Sequence, residues 1–277
     1  MSDLAGSDPF WEFERAGWKR AAPRYEDAWS GATRAFVDPL LDAAGVGAGT
    51  RLLDVACGPG YVAGEAAERG ADVVGLDVAE EMLDLARERH PGVEFVLGDA
   101  HALAVADGSF TAVTMSFGIH HVADPGRVFS EAARVLEPDG VYAFTSWAHA
   151  PEHSPILIAD AALGPLAEPS AEIPQGPDFL RFSDAGACHE ALPAAGFAPG
   201  SVRFETVRAS WRIPSVTHLF EAQLHGGVRV SALLRAQTPE RLERIREVMV
   251  DETRRYETTD GSCVLPIAAH IVSARKA

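Results

Sequence analysis

The feature that most constrains the fold is the segment Arg51 to Gly60, in which a mostly apolar run ends at Gly58-Pro59-Gly60. The composition of residues 61–69 is typical of a helix, so the segment predicts a strand, a tight turn and a helix. Glycine can adopt a positive φ and has no Cβ, so a ligand can lie against the bare backbone of the turn. The free N–H groups at the start of the helix favour a carboxylate or a phosphate. We therefore expect a nucleotide-like ligand at this turn.

A regular alternation of strands and helices follows this segment. Apolar runs predict strands at 72–76, 93–97, 110–115 and 141–145, and amphipathic segments predict helices between them. Such alternation predicts an α/β protein with a doubly wound, mainly parallel sheet that helices cover on both faces.

The rest of the chain predicts additions to that core. A loosely held arm or a short helix is expected up to Pro23, and a helix over 24–44. Many prolines predict an irregular lid over 148–181, followed by a helix at 183–195, a strand at 202–207 and a final strand at 264–274. The expected organisation is an N-terminal helical arm or cap (1–45), a cofactor-binding core (46–147), and the rest of the sheet with lid insertions at about 148–181 and 208–260 (148–277).

Composition narrows the class of partner. The 277 residues carry a net charge of −16, the reverse of what a nucleic-acid or anionic-membrane surface attracts. The three cysteines are far apart without metal-type spacing, which favours free thiols in a reducing cytosol and no metal site. The N-terminus has no apolar signal segment and no window resembles a membrane span. We expect a cytoplasmic monomer or homodimer that acts on a small molecule.

Three carboxylates mark the ends of three successive predicted strands. Asp54, Asp77 and Asp99 are each about one βα unit apart, and parallel strands bring their carboxyl ends to one edge of the sheet. Asp77 suits the two hydroxyls of a ribose, and Asp99, beside Ala100, could accept from an adenine amino group. Each also has a structural interpretation, Asp77 as a helix cap and Asp99 as a turn residue.

These motifs together resemble those of the class I S-adenosylmethionine-dependent methyltransferases, particularly the ubiquinone/menaquinone C-methyltransferases and bacterial small-molecule methyltransferases. The resemblance covers residues 50–147 strongly and the helix near Tyr25 and Trp29 weakly. Ala56 departs from the glycine that is usual at its position. The motifs that carry the resemblance are LDVACGPG (53–60), GLD (75–77), GDA (98–100), HVADP (121–125) and LEPDG (136–140).

The resemblance implies a seven-stranded sheet with an antiparallel last strand, and S-adenosylmethionine as the cofactor. The glycine turn would border the methionine moiety, Asp77 would bind the ribose, and Asp99 would meet the adenine amino group. Met82 would flank the adenine and Ser116 would lie at the methionine end. The full set of expected cofactor-binding residues is Tyr25, Asp54, Ala56, Gly58, Gly60, Asp77, Val78, Met82, Gly98, Asp99, Ala100, Ser116 and His121.

The expected reaction is in-line methyl transfer to a small metabolite or natural-product-like acceptor. His120 and His121 follow the fourth strand and are candidate bases, although either could simply hold the loop or be solvated. Aromatic rings could attract a sulfonium or simply pack. The candidate substrate-binding residues are Trp29, Phe117, Trp147, His225 and Arg229.

Three other functions stay open on the sequence. A protein with this fold could bind the cofactor without transferring a methyl group, steering a cyclisation or acting in regulation. Gly58 to Ala63 also fits the G-x-G-x-x-G/A pattern of an NAD-dependent oxidoreductase, with Asp77 as the acidic partner. Asp54 in the preceding strand, which disfavours a pyrophosphate, and the repeated acid at Asp99 count against this function. A metal-dependent transferase is disfavoured because no clustered ligand set is present.

Overall fold

The computed structural model describes residues 8–149 and 152–277, and its centre is a seven-stranded sheet. The strands are β1 (Arg51–Val55), β2 (Asp72–Asp77), β3 (Glu94–Leu97), β4 (Phe110–Met115), β5 (Leu136–Trp147), β6 (Arg203–Ile213) and β7 (Cys263–Arg275). Their order is β3-β2-β1-β4-β5-β7-β6. The pairs from β3 to β5 are parallel, whereas β7 runs antiparallel to both β5 and β6. This confirms the predicted doubly wound sheet and its reversed last strand.

Ten α-helices surround the sheet in the described part of the chain. They are α1 (Pro9–Thr33), α2 (Val37–Ala43), α3 (Tyr61–Glu68), α4 (Glu80–Arg89), α5 (Pro125–Val135), α6 (Ser154–Leu166), α7 (Ala185–Ala194), α8 (His218–His225), α9 (Arg229–Arg235) and α10 (Pro239–Thr253). None of these helices is both long enough and apolar enough to cross a membrane.

The core has two halves because successive strand residues face opposite sides of the sheet. Leu52 packs with residues of α2, α3 and α10 on one side. Leu53, its neighbour, packs with residues of α5 and α7 on the other side. The strand order reverses direction between β1 and β4, and ligands of open α/β sheets bind outside the carboxyl ends of the strands at such a point.

Helix α1 is longer than predicted. One continuous helix takes the place of the arm or short helix expected up to Pro23 and of the helix expected to start at residue 24. The Asp8 side chain accepts a hydrogen bond from the Phe10 N–H at 2.8 Å, and Pro9 occupies the first turn, where its missing N–H costs nothing. Pro23, which predicts a helix boundary, lies inside the helix. The buried side chains of Ala21, Ala22 and Ala28 hold the helix against the rest of the protein across this interruption.

The region 148–181 also differs from the prediction, since it contains the 13-residue helix α6. Pro155 occupies the first turn of α6 and Pro165 its last, so neither proline breaks the interior. Strands β6 and β7 extend beyond the predicted ends, and α8 to α10 form the insertion between them. The division into arm, core and insertions stays a prediction; residues 1–7 of the arm and 150–151 of the first insertion lie outside the described residues.

Candidate active site

A cavity of about 500 Å³ lies at the carboxyl edge of the parallel strands, between the sheet and helices α1, α6 and α9. Most of the residues expected to bind cofactor or substrate line it. They are Tyr25, Trp29, Ala56, Gly58, Asp77, Val78, Met82, Gly98, Asp99, Ala100, Ser116, Phe117, His121, Trp147 and Arg229. Four of the expected residues do not line it: Asp54, Gly60, His120 and His225.

The glycine turn after β1 presents backbone to this cavity. Gly58 has a φ of 51°, and a Cβ built there would meet no described atom within 4 Å. Gly60 has a φ of 81°, but a Cβ there would lie 2.9 Å from the Phe95 ring. Gly58 therefore leaves room for a ligand, whereas Gly60 serves the turn and the packing behind it, which corrects its expected contact with the cofactor.

Ala56 occupies the left-handed conformation that glycine adopts more easily. Its φ is 54°, and this conformation is costly for a residue with a Cβ. A Cβ on Gly118 would lie 2.8 Å from the Ala56 Cβ, so Gly118 makes room for the alanine. The backbone conformation explains why glycine is the usual residue at the position of Ala56.

Asp77, at the end of β2, accepts hydrogen bonds from the glycine turn and from the start of α4, and it also lines the cavity. Its Oδ2 accepts from the Gly58 N–H at 2.8 Å and its Oδ1 from the Ala79 N–H at 2.9 Å. Burial raises the pKa of this carboxyl, and the hydrogen bonds from backbone N–H groups oppose that shift. Each oxygen retains a lone pair, so the carboxylate can accept from two hydroxyls while it holds the glycine turn in place.

Asp99 lies on the same rim and is fixed by a neighbouring histidine. Its Oδ1 accepts from the backbone N–H of His101 at 2.9 Å and lies 2.7 Å from the His101 Nδ1. Burial opposes ionisation, but the bonds from His101 hold the pKa of Asp99 below its ordinary value. The second acid of the rim is therefore an ionised acceptor.

Asp54 is fully buried and lies outside the cavity, contrary to the prediction that it contacts the cofactor. Thr114 donates to its Oδ1 at 2.9 Å, and its Oδ2 has no partner among the described residues. Burial raises the pKa of Asp54 to about 7; the hydroxyl of Thr114 opposes this rise and the nearby Asp77 adds to it. Its position one residue before the end of β1 places the side chain beneath the turn rather than on the rim.

An aromatic stack forms another wall of the cavity. The rings of Phe117 and Trp147 are stacked with centroids 3.8 Å apart, and Phe36 meets both edge-on. Phe117 has a φ of 55°, and its N–H donates to the Thr145 Oγ1 at 2.7 Å. A positive φ is strained for a bulky residue. Here this backbone conformation accompanies the stacking of the Phe117 ring on Trp147.

His120 is not placed to act as a base, which contradicts its predicted role. Its Nδ1 donates to the carbonyl oxygen of Phe179 at 2.6 Å, and its Nε2 accepts from the Trp147 N–H at 3.3 Å. Burial lowers its pKa to about 3. Because backbone groups occupy both ring nitrogens, His120 joins two loops as a neutral ring.

His121 lines the cavity and is oriented by Glu14, a residue that the sequence analysis missed. The His121 Nδ1 lies 2.9 Å from a carboxylate oxygen of Glu14, and the Trp18 ring meets the imidazole edge-on at 4.7 Å. Glu14 is 3% exposed. An acidic residue on the otherwise apolar face of α1, which also carries Phe10 and Gly17, is the only sequence signal that could have identified it.

Arg229 lines the cavity but is bound to neighbouring groups, whereas His225 does not line the cavity. The guanidinium of Arg229 donates to Glu14 at 2.9 Å, to the Pro177 carbonyl at 3.0 Å and to the His120 carbonyl at 2.6 Å. These bonds involve all three of its nitrogens and fasten α9 to α1. His225, the last residue of α8, does not line the cavity, and its Nε2 lies 3.4 Å from a carboxylate oxygen of Glu221.

Residues 8–149 and 152–277 contain no cluster of three potential metal ligands.

Other residues that line the cavity were identified only in the structure. The lining residues that the sequence analysis missed include Trp11, Glu14, Trp18, His153, Phe179 and Val230. They belong to α1, α6, α9 and the loop before α7, which are the elements with the weakest sequence patterns.

The sheet order, the reversed β7 and the position of the cavity define a protein of the class I methyltransferase fold. Residues 53–144 match the family model described as a methyltransferase domain. The chain is 41% identical over 132 residues to a demethylmenaquinone methyltransferase from Renibacterium salmoninarum, covering 46% of this chain and 56% of that relative. It spans about half the length of the curated relatives that it matches.

Solved structures agree on the fold. Phosphoethanolamine N-methyltransferase 2 from Haemonchus contortus, in complex with S-adenosyl-L-methionine, aligns with 98% of this chain and 60% of its own, with a TM-score of 0.56 and 18% identity. The [4+2]-cyclase SpnF aligns with 95% of this chain and 93% of its own, with a TM-score of 0.53 and 20% identity. At these identities the likeness concerns the fold alone.

Proposed function

We propose that this chain is an S-adenosylmethionine-dependent methyltransferase that acts on a small molecule. One observation carries the proposal: a single cavity joins the rim of Gly58, Asp77 and Asp99 to the stacked rings of Phe117 and Trp147. The rim suits a nucleoside and the rings suit an apolar acceptor. The methyltransferase domain and the names of the relatives point to the same activity.

The residues of the rim fit the proposed cofactor. The open space above Gly58 accepts a ligand against the backbone, and the lone pairs of Asp77 suit paired hydroxyls. Met82 is buried beside the rim and Asp99 supplies a fixed acceptor. S-adenosylmethionine supplies an activated methyl group on a sulfonium when bound.

The remaining task of the protein is to position the acceptor and exclude water. Such positioning can lower a barrier by roughly 7–11 kcal/mol. Helix α1 covers the cavity, and its Glu14 is bound to Arg229 of α9, so two helices close the site together. The Phe117–Trp147 stack supplies a flat apolar surface against which an acceptor can lie.

We further propose that His121, rather than His120, removes a proton from a hydroxylated acceptor. A neutral imidazole that donates from Nδ1 to the Glu14 carboxylate has an unprotonated Nε2. Glu14 would thus orient the ring and stabilise the imidazolium that forms. His121 also lines the cavity, which gives it access to a ligand.

The proposed partner is a small molecule rather than a nucleic acid or a membrane. The net charge of −16 would repel polyanions. A cytoplasmic location is part of the proposal and is supported by the three free cysteines, which suit a reducing compartment.

Calorimetry with S-adenosylhomocysteine and NADH tests the cofactor. We expect S-adenosylhomocysteine to bind the wild type and the control Asp72→Asn, whose side chain is exposed at the opposite end of β2. Asp77→Asn should weaken binding by about tenfold to a few hundredfold, because bonds to a charged acceptor contribute about 1.5–3 kcal/mol. Binding of NADH alone, or no heat with S-adenosylhomocysteine, contradicts the proposal.

Methyl transfer itself needs a second experiment. The protein is incubated with methyl-labelled S-adenosylmethionine and a small-molecule extract, and labelled products are sought by mass spectrometry. Asp77→Asn serves as the inactive reference. Binding of S-adenosylhomocysteine without any labelled product would favour the alternative in which the fold binds cofactor but does not transfer its methyl group.

A further inference from the structure

His153, at the start of α6, lines the cavity but belongs to neither the rim nor the Glu14–His121 pair. Its side chain is buried, with 2% of the residue exposed. The ring lies 4.5 Å from the Trp147 ring, which itself stacks on Phe117 at 3.8 Å. Three neighbouring rings therefore form one wall of the cavity. Among them, His153 is the ring with two nitrogen atoms, Nδ1 and Nε2, that can form hydrogen bonds.

The hydrogen bond of His153 to the sheet determines where its proton lies. Its Nδ1 accepts from the backbone N–H of Ala268 in β7 at 3.3 Å. A backbone N–H can only donate, so Nδ1 is unprotonated and the neutral ring carries its proton on Nε2. Burial lowers the pKa of His153 to about 3, so the ring stays neutral under ordinary conditions.

The Nε2–H has no hydrogen-bond partner among the described residues. This atom is not among the buried side-chain atoms without a partner, which in the described residues are the Asp54 Oδ2 and the His90 Nε2, so it is accessible from the cavity. A ligand that covers it must accept its hydrogen bond or leave a donor unpaired, which costs about as much as a lost hydrogen bond. His120, also buried, differs in this respect because backbone groups bind both of its nitrogens. His153 is thus a fixed donor at a cavity wall, and His120 is a structural bridge.

We propose that the Nε2–H of His153 donates a hydrogen bond to an oxygen of the methyl acceptor. The oxygen is a carbonyl or a deprotonated hydroxyl on a flat ring that lies against Trp147. This inference rests on the proposed function and specifies its substrate class. A ring with a hydrocarbon edge in the same position leaves the donor unpaired and is disfavoured.

A pair of probes that differ by one oxygen tests this contact. 1-Tetralone and tetralin are titrated by calorimetry into protein saturated with S-adenosylhomocysteine. The wild type should bind 1-tetralone about two- to tenfold more tightly than tetralin, because one hydrogen bond contributes about 0.5–1.5 kcal/mol net. Equal affinities in the wild type overturn the inference.

Two substitutions separate the two nitrogens of His153. Asn places its oxygen near the position of Nδ1, so His153→Asn retains the acceptor for Ala268 and removes the donor; the preference for 1-tetralone should disappear. Gln places its amide nitrogen near the position of Nε2, so His153→Gln should retain a preference and lose thermal stability. A preference that persists in His153→Asn overturns the inference. His189→Asn, at an exposed histidine of α7, is the matched control.

Spectroscopy of the ring gives an independent readout. In ¹⁵N-histidine spectra of the wild type, one set of signals should come from a ring with an unprotonated Nδ1 and a protonated Nε2. These signals should be absent in His153→Asn. In the wild type, the Nε2–H signal should shift when 1-tetralone is added. Binding of S-adenosylhomocysteine is measured first in every variant. Its absence in the wild type overturns the proposed function and this inference together, whereas its presence with no shift of the Nε2–H overturns this inference alone.

Discussion

Replacing Glu14 by Gln weakens the buried contact that fastens α1 over the cavity. The Glu14 side chain is 4% exposed, and its carboxylate bonds His121 and Arg229 at 2.9 Å each. Gln has the same shape but no charge, and it replaces one acceptor oxygen with an NH₂ donor. The amide oxygen can accept from Arg229, and the NH₂ can donate to the Nδ1 of His121 once that ring has moved its proton to Nε2. Both bonds are therefore retained, but without the charge of the carboxylate.

The expected loss of stability can be worked out from these two bonds. A hydrogen bond to a charged group contributes about 1.5–3 kcal/mol and a neutral one about 0.5–1.5 kcal/mol. Replacing two bonds to a charged acceptor with two weaker ones lowers the free energy of unfolding by about 2–3 kcal/mol. For a chain of this size each kcal/mol shifts the Tm by roughly 2–4 °C, so we expect Glu14→Gln to melt about 5–10 °C below the wild type.

Thermal and urea unfolding provide the assay, with Glu12→Gln as the control on the same helix. Glu12 is half exposed and bonds only Arg15, at 3.0 Å, among the described residues, and such surface pairs contribute about 0–1 kcal/mol. A Glu14→Gln variant within about 0.5 kcal/mol of Glu12→Gln would refute the reasoning. The same variant should also move the proton of His121 from Nδ1 to Nε2, which ¹⁵N-histidine spectra detect.

Two further predictions concern packing and pH. Gly64→Ala should lower the free energy of unfolding by about 1–2 kcal/mol, because the new Cβ lies 2.1 Å from the His90 ring. The control Gly47→Ala, where no described atom lies within 4 Å of the new Cβ, should change the free energy of unfolding by less than about 0.5 kcal/mol. Equal effects of the two substitutions in urea unfolding would contradict the prediction. His153 has a folded pKa of about 3, below its ordinary 6.5, so in acid the unfolded state gains a proton that the folded state excludes, and stability present above pH 6.5 is lost as the pH falls. Between pH 7 and pH 5, His153→Asn should therefore lose about 2 kcal/mol less than the wild type in denaturant unfolding, and parallel losses would contradict the assignment.

The sheet and its rim could be predicted because their signals are local. Each strand is a short apolar run, and Asp77 and Asp99 follow directly after two of these runs. The parallel alternation then brings their carboxyl ends together without further information. This is why most of the residues that were expected at the ends of these parallel strands do line the cavity.

Prolines account for the two helices that were mispredicted. Pro23 lies within α1 and Pro155 begins α6, and a single sequence does not tell an interrupted helix from a terminated one. Packing of the alanine-rich face of α1 against neighbouring helices outweighs the hydrogen bond that Pro23 removes. The outcome was decided by contacts outside each helix.

The amino-acid sequence by itself determined the βα alternation, the glycine turn and the acidic rim, because each depends on residues adjacent in the chain. Only the tertiary structure decided which polar groups are paired: Glu14 lies 107 residues from His121 and 215 from Arg229. The tertiary structure also gives the two buried histidines different roles. Both ring nitrogens of His120 are bonded to backbone groups, whereas the Nε2–H of His153 remains available at the cavity wall. Burial and hydrogen-bond partners assign roles to such side chains, and both arise only when distant segments pack together.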